Sequence, residues 1–233
     1  MRARALVLLP LLLAACAPSA APAPTVPIPI KTPAIRYFSA QAWQNGREVA
    51  VKLTGESWLI EADGYTLLFS LTPELAMLTP SEKARYDAWR KDSRSQGQSA
   101  NFLAQLLSEQ PRRVSFRLQN RTASPVRILW SESRVTLMNR RDSQVLHQGV
   151  PYGEIGNSLI PTLVAANARL EDYLLPIANL QYDPGTGWRE KPLFDTFFRK
   201  GQTMAARLSF ELRGQRTDLD LRFTAQNDFS VLP

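Results

Sequence analysis

Residues Ala206–Phe223 read ARLSFELRGQRTDLDLRF, two alternating runs on either side of a glycine. Ala206, Leu208 and Phe210 recur at every second position before Gly214, and Leu219, Leu221 and Phe223 do so after it. Successive side chains of a strand point to opposite faces, so each run predicts a strand with one apolar side. If Gly214 and Gln215 form a two-residue turn, Phe210 faces Leu219, Leu208 faces Leu221 and Ala206 faces Phe223. A slip of one residue would set Phe210 against Asp218 and turn a strand inside out. The same register opposes Glu211 to Asp218 and Arg207 to Arg222, and like charges directly opposite are unfavourable. Either neighbouring strands compensate these pairs, or the turn is longer.

Working outward, the same period governs most of the chain. Asn45-Gly46 and Asp63-Gly64 are hairpin signals, because both pairs readily take the positive φ of tight loops. They separate the runs IRYFSAQAW, REVAVKLTG, SWLIEADG and YTLLFSL, read as three or four antiparallel strands. In VSFRLQN, Val114, Phe116 and Leu118 face one way, and Ser115, Arg117 and Gln119 the other. The runs VRILWS, RVTLMN and QVLHQG continue as a meander.

One interval breaks the pattern. Thr79, Pro80 and Glu82 form a capping-box start, and Tyr86 and Trp89 lie at helical spacing. SANFLAQLLSEQ predicts a second helix with Phe102, Leu103, Leu106 and Leu107 as an apolar stripe, stopped by Pro111. A helical insertion of two short helices at about 79–110 follows. The stretch Asn120-Arg121-Thr122-Ala123-Ser124-Pro125, followed by an apolar strand, resembles the opening of immunoglobulin-like accessory domains in exported bacterial proteins. The expected fold is mainly β: an antiparallel β-sandwich of immunoglobulin-like kind, one domain over 35–233, carrying that insertion.

The residues from Gly149 to Phe194 are the least regular, with one strand expected near Leu170–Leu175 and long loops beside it. Loops of that length with no regular structure are either functional or poorly ordered. Tyr152, Tyr182, Trp188 and Phe194 are the candidate binding-surface residues there; the alternative is that they close the ends of the sandwich.

Composition limits the chemistry. His147 is the only histidine and Cys16 the only cysteine, which excludes a zinc site of the usual Cys and His ligands. No G-x-S-x-G elbow, G-x-G-x-x-G turn or P-loop occurs. Glycan cleavage needs two carboxylates, and Glu154, Glu171, Asp172, Asp183, Asp218 and Asp220 are available without a recognisable pattern. Asp218, Asp220 and Glu211 would also suit calcium, although a solvated charged face explains them more simply. The net charge of +7 suits anionic polymers or lipid, but the basic residues are scattered and no nucleic-acid motif is present. No metal, cofactor or catalytic residue is expected.

The amino-terminal segment has the three parts of a secretory signal: Arg2 and Arg4, an apolar run from Ala5 to Leu13, then Ala14 and Ala15. Leu13-Ala14-Ala15-Cys16 resembles the lipobox of bacterial lipoproteins. That resemblance implies cleavage after residue 15, a diacylglycerol on the Cys16 thiol and a further acyl group on the new amino terminus. Two or three chains anchor stably where one does not, at ~0.8 kcal/mol per buried methylene. Residues 16–34 are rich in proline and alanine and predict an extended tether. Ala17 stands where some diderm bacteria place an inner-membrane retention aspartate, which favours the outer membrane, facing the periplasm. The expectation is a lipid-anchored, non-catalytic binding or assembly module of the cell envelope, with the membrane and an envelope protein as partners. The alternative is a carrier or sensor of an apolar ligand such as lipid; a glycan hydrolase ranks below both.

Overall fold

The computed structural model describes residues 30–32, 34, 37–72, 75–77, 80–92, 110–154, 159–194 and 197–230. The expected signal, Cys16, most of the expected tether and the expected second helix with Phe102, Leu103, Leu106 and Leu107 lie outside the described residues. The strands are β1 (Ile30–Thr32), β2 (Phe38–Gln44), β3 (Arg47–Val49), β4 (Val51–Thr54), β5 (Ser57–Ala62), β6 (Tyr65–Thr72) and β7 (Leu75–Met77). After the helix α1 (Pro80–Lys91) come β8 (Arg113–Asn120), β9 (Val126–Ile128), β10 (Arg134–Thr136), β11 (Asp142–Leu146), β12 (Thr162–Val164) and β13 (Arg169–Pro176). The last are β14 (Leu180–Asp183), β15 (Gly187–Glu190), β16 (Phe197–Phe198), β17 (Thr203–Leu212), β18 (Gln215–Ala225) and β19 (Phe229–Ser230). Among the described residues α1 is the one α-helix. It buries Tyr86 and Trp89, whose rings lie 5.5 Å apart, and it is neither long nor apolar enough to cross a membrane.

The protein is mainly antiparallel β, but the pairing does not divide into the two facing sheets of a sandwich. One sheet runs β3-β2-β18-β17-β10-β11-β13-β8-β6-β5-β4, with β9 joining β17 and β12 joining β9. Its two ends belong to one stretch of chain. REVAVKLTG reads as a single strand, yet only its first half pairs with β2 and its second half pairs with β5, with Ala50 between them. The bend at Ala50 brings the ends of the sheet together and makes it barrel-like and nearly closed, which leaves fewer open edges. The opposite seam is short: β11 and β13 share Val145↔Pro176 and Leu146↔Leu175, and Pro176 has no N–H to extend the ladder.

The β17–β18 hairpin turns at Arg213-Gly214, one residue earlier than the pattern suggests. Both central residues have positive φ, 52° and 74°, as a two-residue turn of this hand requires. The pairing moves by two: Leu208 faces Leu219, Ala206 faces Leu221 and Met204 faces Phe223. Because two is the strand period, the apolar face is unchanged, so the hydrophobic pattern cannot distinguish the registers. The outer face decides. Arg207 now opposes Asp220, Ser209 opposes Asp218 and Glu211 opposes Arg216, and the like-charge conflict disappears.

The Asn45-Gly46 and Asp63-Gly64 turns form where the sequence places them. Asn45 also ties its turn to β18, donating its N–H to the Asp218 carbonyl at 2.9 Å and accepting the Asp218 N–H on Oδ1 at 2.8 Å. The two walls of the curled sheet meet through aromatics: Trp58 lies 5.4 Å from Phe223, Tyr65 5.1 Å from Phe210, and Phe116 6.1 Å from Trp130. All except Phe116 are at most 2 % exposed, and each large apolar side chain removed from water contributes on the order of 2 kcal/mol.

A polar knot pins one end. Buried Asn120 donates through Nδ2 to the carbonyls of Ser124 at 2.8 Å and Ala165 at 2.9 Å. Its Oδ1 accepts from the N–H and hydroxyl of Thr122 at 2.9 and 2.8 Å. The amide thereby satisfies turn groups that water cannot reach.

Candidate binding site

The segment expected as a loop near residues 180–190 is a hairpin, with Leu180↔Glu190, Gln181↔Arg189, Tyr182↔Trp188 and Asp183↔Gly187 in register. Its signal is Asp183-Pro184-Gly185-Thr186-Gly187 between two aromatics. Asp183 Oδ1 accepts the Gly185 N–H at 2.8 Å, and that bond holds its carboxyl below the usual range. The base is closed by the Lys191 N–H on the Asn179 carbonyl at 2.7 Å and by Asn179 Nδ2 on the Pro192 carbonyl at 2.7 Å.

Tyr182, Trp188 and Tyr152 come together. The Trp188 ring meets Tyr182 at 5.3 Å and Tyr152 at 6.3 Å, edge to face in both cases. Tyr182 is 57 % and Trp188 39 % exposed, so this is a partly solvated aromatic surface. Phe194 is elsewhere: it is buried and stacks on Phe38 at 4.7 Å, as a core residue.

Three residues that the pattern did not single out hold the cluster. The Tyr152 hydroxyl donates to Glu190, and Arg113 grips the same carboxylate from the first position of β8, with Nε to Oε2 at 3.0 Å and a second contact from its other nitrogen. The Arg113 guanidinium also lies 4.2 Å from the centre of the Tyr173 ring. Burial pushes the Glu190 carboxyl up, but the hydrogen bonds from Arg113 and Tyr152, with the charge of Arg113, outweigh it and hold it below its ordinary value. Burial, reinforced by the bond to Glu190, pushes the Tyr152 hydroxyl up to about 12. Arg113 and Glu190 are 77 residues apart, so no sequence period joins them.

Beside this cluster a cleft of about 310 Å³ opens on the outer face of β5, β6, β8 and β13, lined by Ser57, Leu68, Ser70, Ser115, Glu171 and Tyr173 among others. Ser70 faces Ser115, and Ser115 faces Tyr173, across adjacent strands. Ser115 shares a 2.5 Å hydrogen bond with Thr72, whereas the hydroxyls of Ser57 and Ser70 form none among the described residues.

The acidic residues considered for catalysis or calcium are engaged singly. Glu171 pairs with Arg117 at 2.8 Å, Asp220 with Arg207 at 2.7 Å, and Glu211 with Arg127 at 3.5 Å. Asp218 accepts from the Ser209 hydroxyl at 2.7 Å and pairs with Arg216 at 3.2 Å. Asp183 serves its turn, and Glu154 is exposed in a 3-10 turn. No group of three or more potential metal ligands gathers among the described residues.

His147 lies between two partners. Its ring stacks on Trp130 at 4.0 Å with the planes 5° apart, and Nδ1 is 3.3 Å from Asp172 Oδ2. Asp172 points inward from β13, and its Oδ1 accepts the N–H groups of Gln148 at 2.8 Å and Tyr173 at 2.7 Å. The carboxylate therefore fixes the chain leaving β11. No serine hydroxyl bonds to His147 among the described residues, and the half-buried ring is held by Trp130 and Asp172.

Comparison with known proteins gives no matching family model, no matching curated protein and no matching solved structure.

Proposed function

We propose that this protein is a non-catalytic binding module of the cell envelope. It is anchored by lipid at Cys16 and makes contact through Tyr152, Tyr182 and Trp188. The tether that carries it is shorter than the 16–34 expected from composition, because Ile30–Thr32 pairs with β7 and Ala34 is buried in the core. The single observation behind the contact surface is that exposed Trp188 and Tyr182 stand on a hairpin locked to the sheet by Arg113, Glu190 and Tyr152. Rigid aromatics lose little conformational entropy on binding and dominate interface energetics when a partner covers them. The anchor rests on the lipobox order at Leu13–Cys16, and Ala17 favours the outer membrane with the domain facing the periplasm.

A carrier of apolar ligands is the weaker reading, since Trp58, Phe69, Phe210, Phe223 and Trp130 fill the space between the two walls. The test has two arms. Cys16→Ser moves the protein from the membrane to the soluble fraction, and a photo-crosslinker at position 182 captures an envelope component in living cells. Retention of the Cys16→Ser variant in salt-washed membranes would remove the anchor; absence of any adduct from position 182 would remove the contact surface.

A further inference from the structure

We propose that the ligand of this surface is a polysaccharide strand, seated in the trench between β5 and β13 and capped by the aromatic hairpin; the inference rests on the binding-module reading. Ser57, Ser70, Ser115 and Tyr173 lie across four strands, where β-branched residues would fill the outer face. Leu68, Arg117 and Glu171 stand on one bank, and Thr72 and Arg113 on the other. Four strands at their usual separation give a floor of about 14 Å, enough for a short run of sugar rings.

The chemistry of the lining selects the ligand. A pyranose ring presents polarised C–H groups on its faces and hydroxyls around its edge. Aromatic faces carry negative charge density and attract such C–H groups. Arg113 lies over the Tyr173 ring that ends the trench, and the partly exposed Trp188, joined to it through Arg113, Glu190 and Tyr152, offers such a ring. The unpaired hydroxyls of Ser57 and Ser70, each able to donate and to accept, match the edge of the ring. The Arg117–Glu171 pair supplies fixed donors and acceptors on the bank. An extended peptide fits less well, because the trench crosses the faces of strands already paired on both sides and has no edge to extend. Without Arg2 and Arg4 of the expected signal the chain carries a formal charge of +5, two less than the +7 of the full sequence, and this disfavours a basic polymer.

The probe is insoluble, cross-linked cell-wall glycan, sedimented with detergent-solubilised full-length protein, with soluble peptide-free glycan strands as the competitor that shows the sugar rather than the peptide is bound. The protein is expected to pellet with the glycan. Ser70→Leu, which fills the floor, and separately Trp188→Ala are each expected to weaken binding at least tenfold, about 1.4 kcal/mol. Ser57→Leu repeats the floor test at the other end, and the thermal transition of each variant checks folding. Absence of pelleting, or pelleting unchanged in folded Ser70→Leu and Ser57→Leu, overturns the proposal. If the glycan is not bound while the crosslinker at position 182 captures a protein, the ligand class is wrong and the binding module stands; if both fail, both readings fall.

Discussion

Arg207 and Asp220 face each other across the β17–β18 ladder and join through two bonds, Nε to Oδ1 at 2.7 Å and Nη2 to Oδ2 at 3.1 Å. Both are partly exposed, so the pair is worth little in isolation; its weight lies in choosing between registers that share one apolar face. Arg207→Asp is expected to destabilise the protein by about 0.5–1 kcal/mol, because two carboxylates then oppose one another. The double exchange with Asp220→Arg should restore most of that loss. Urea unfolding at low and high salt checks it, with the difference between single and double variants shrinking as salt screens the charges.

Glu190 supplies an acid-sensitive anchor. Its carboxyl is held below the ordinary value of 4.5, so the folded state binds the proton less readily than the unfolded chain. The resulting stability is fully present above that ordinary value and is lost as the pH falls through the depressed one. Glu190→Gln should therefore be less stable than the parent at neutral pH, and the gap should close in acid. Urea midpoints of the two proteins from pH 7 to pH 3, approximately the carboxylate range, measure this directly.

Tyrosines give the opposite sign. Burial raises Tyr65 to about 12, and burial with the Glu190 bond raises Tyr152 to about 12, from an ordinary value of 10.0. Their contribution is complete below 10.0 and disappears as the pH rises through about 12. Ultraviolet titration should show late-ionising phenols, and Tyr152→Phe should remove one while loosening the hairpin. If the late-ionising phase is unchanged in that variant, Tyr152 is neither buried nor held by Glu190 in solution.

Gly64 is fixed twice over. Its φ is +91°, and a Cβ there would lie 2.8 Å from Cγ2 of Thr122. Gly64→Ala is expected to cost more than about 1 kcal/mol, from backbone strain and from the contact together. Adding Thr122→Ser removes the methyl while keeping a hydroxyl for Asn120, so it should relieve the steric part and leave the strain. A thermal-melt comparison of the single and double variants separates the two.

The aromatic surface was only partly legible. Tyr152, Tyr182 and Trp188 are visible as aromatics in an irregular region, and Phe194 looks the same there although it stacks on Phe38 in the core. Nothing local marks Arg113, Glu190 or Tyr173, since their meeting depends on β13 pairing with β8 and on the hairpin folding back to the start of β8. His147 is unremarkable in sequence for the same reason: Trp130 comes from a 3-10 turn after β9 and Asp172 from β13.

Alternation by itself settled which residues turn inward, because a strand presents every second side chain to one face whatever its neighbours do. It gave the buried sides of β5, β6, β8, β17 and β18, and the Asn-Gly and Asp-Gly turns. The Leu13–Cys16 order is likewise a property of the sequence alone. Only the tertiary structure decided how far β17 slides along β18, where Arg47–Thr54 bends, and whether the sheet divides or curls round. Those outcomes depend on charge pairs and seams between residues distant in the chain. Periodicity is blind to a slip of two residues and to closure, whereas Arg207 against Asp220 and the bend at Ala50 are not.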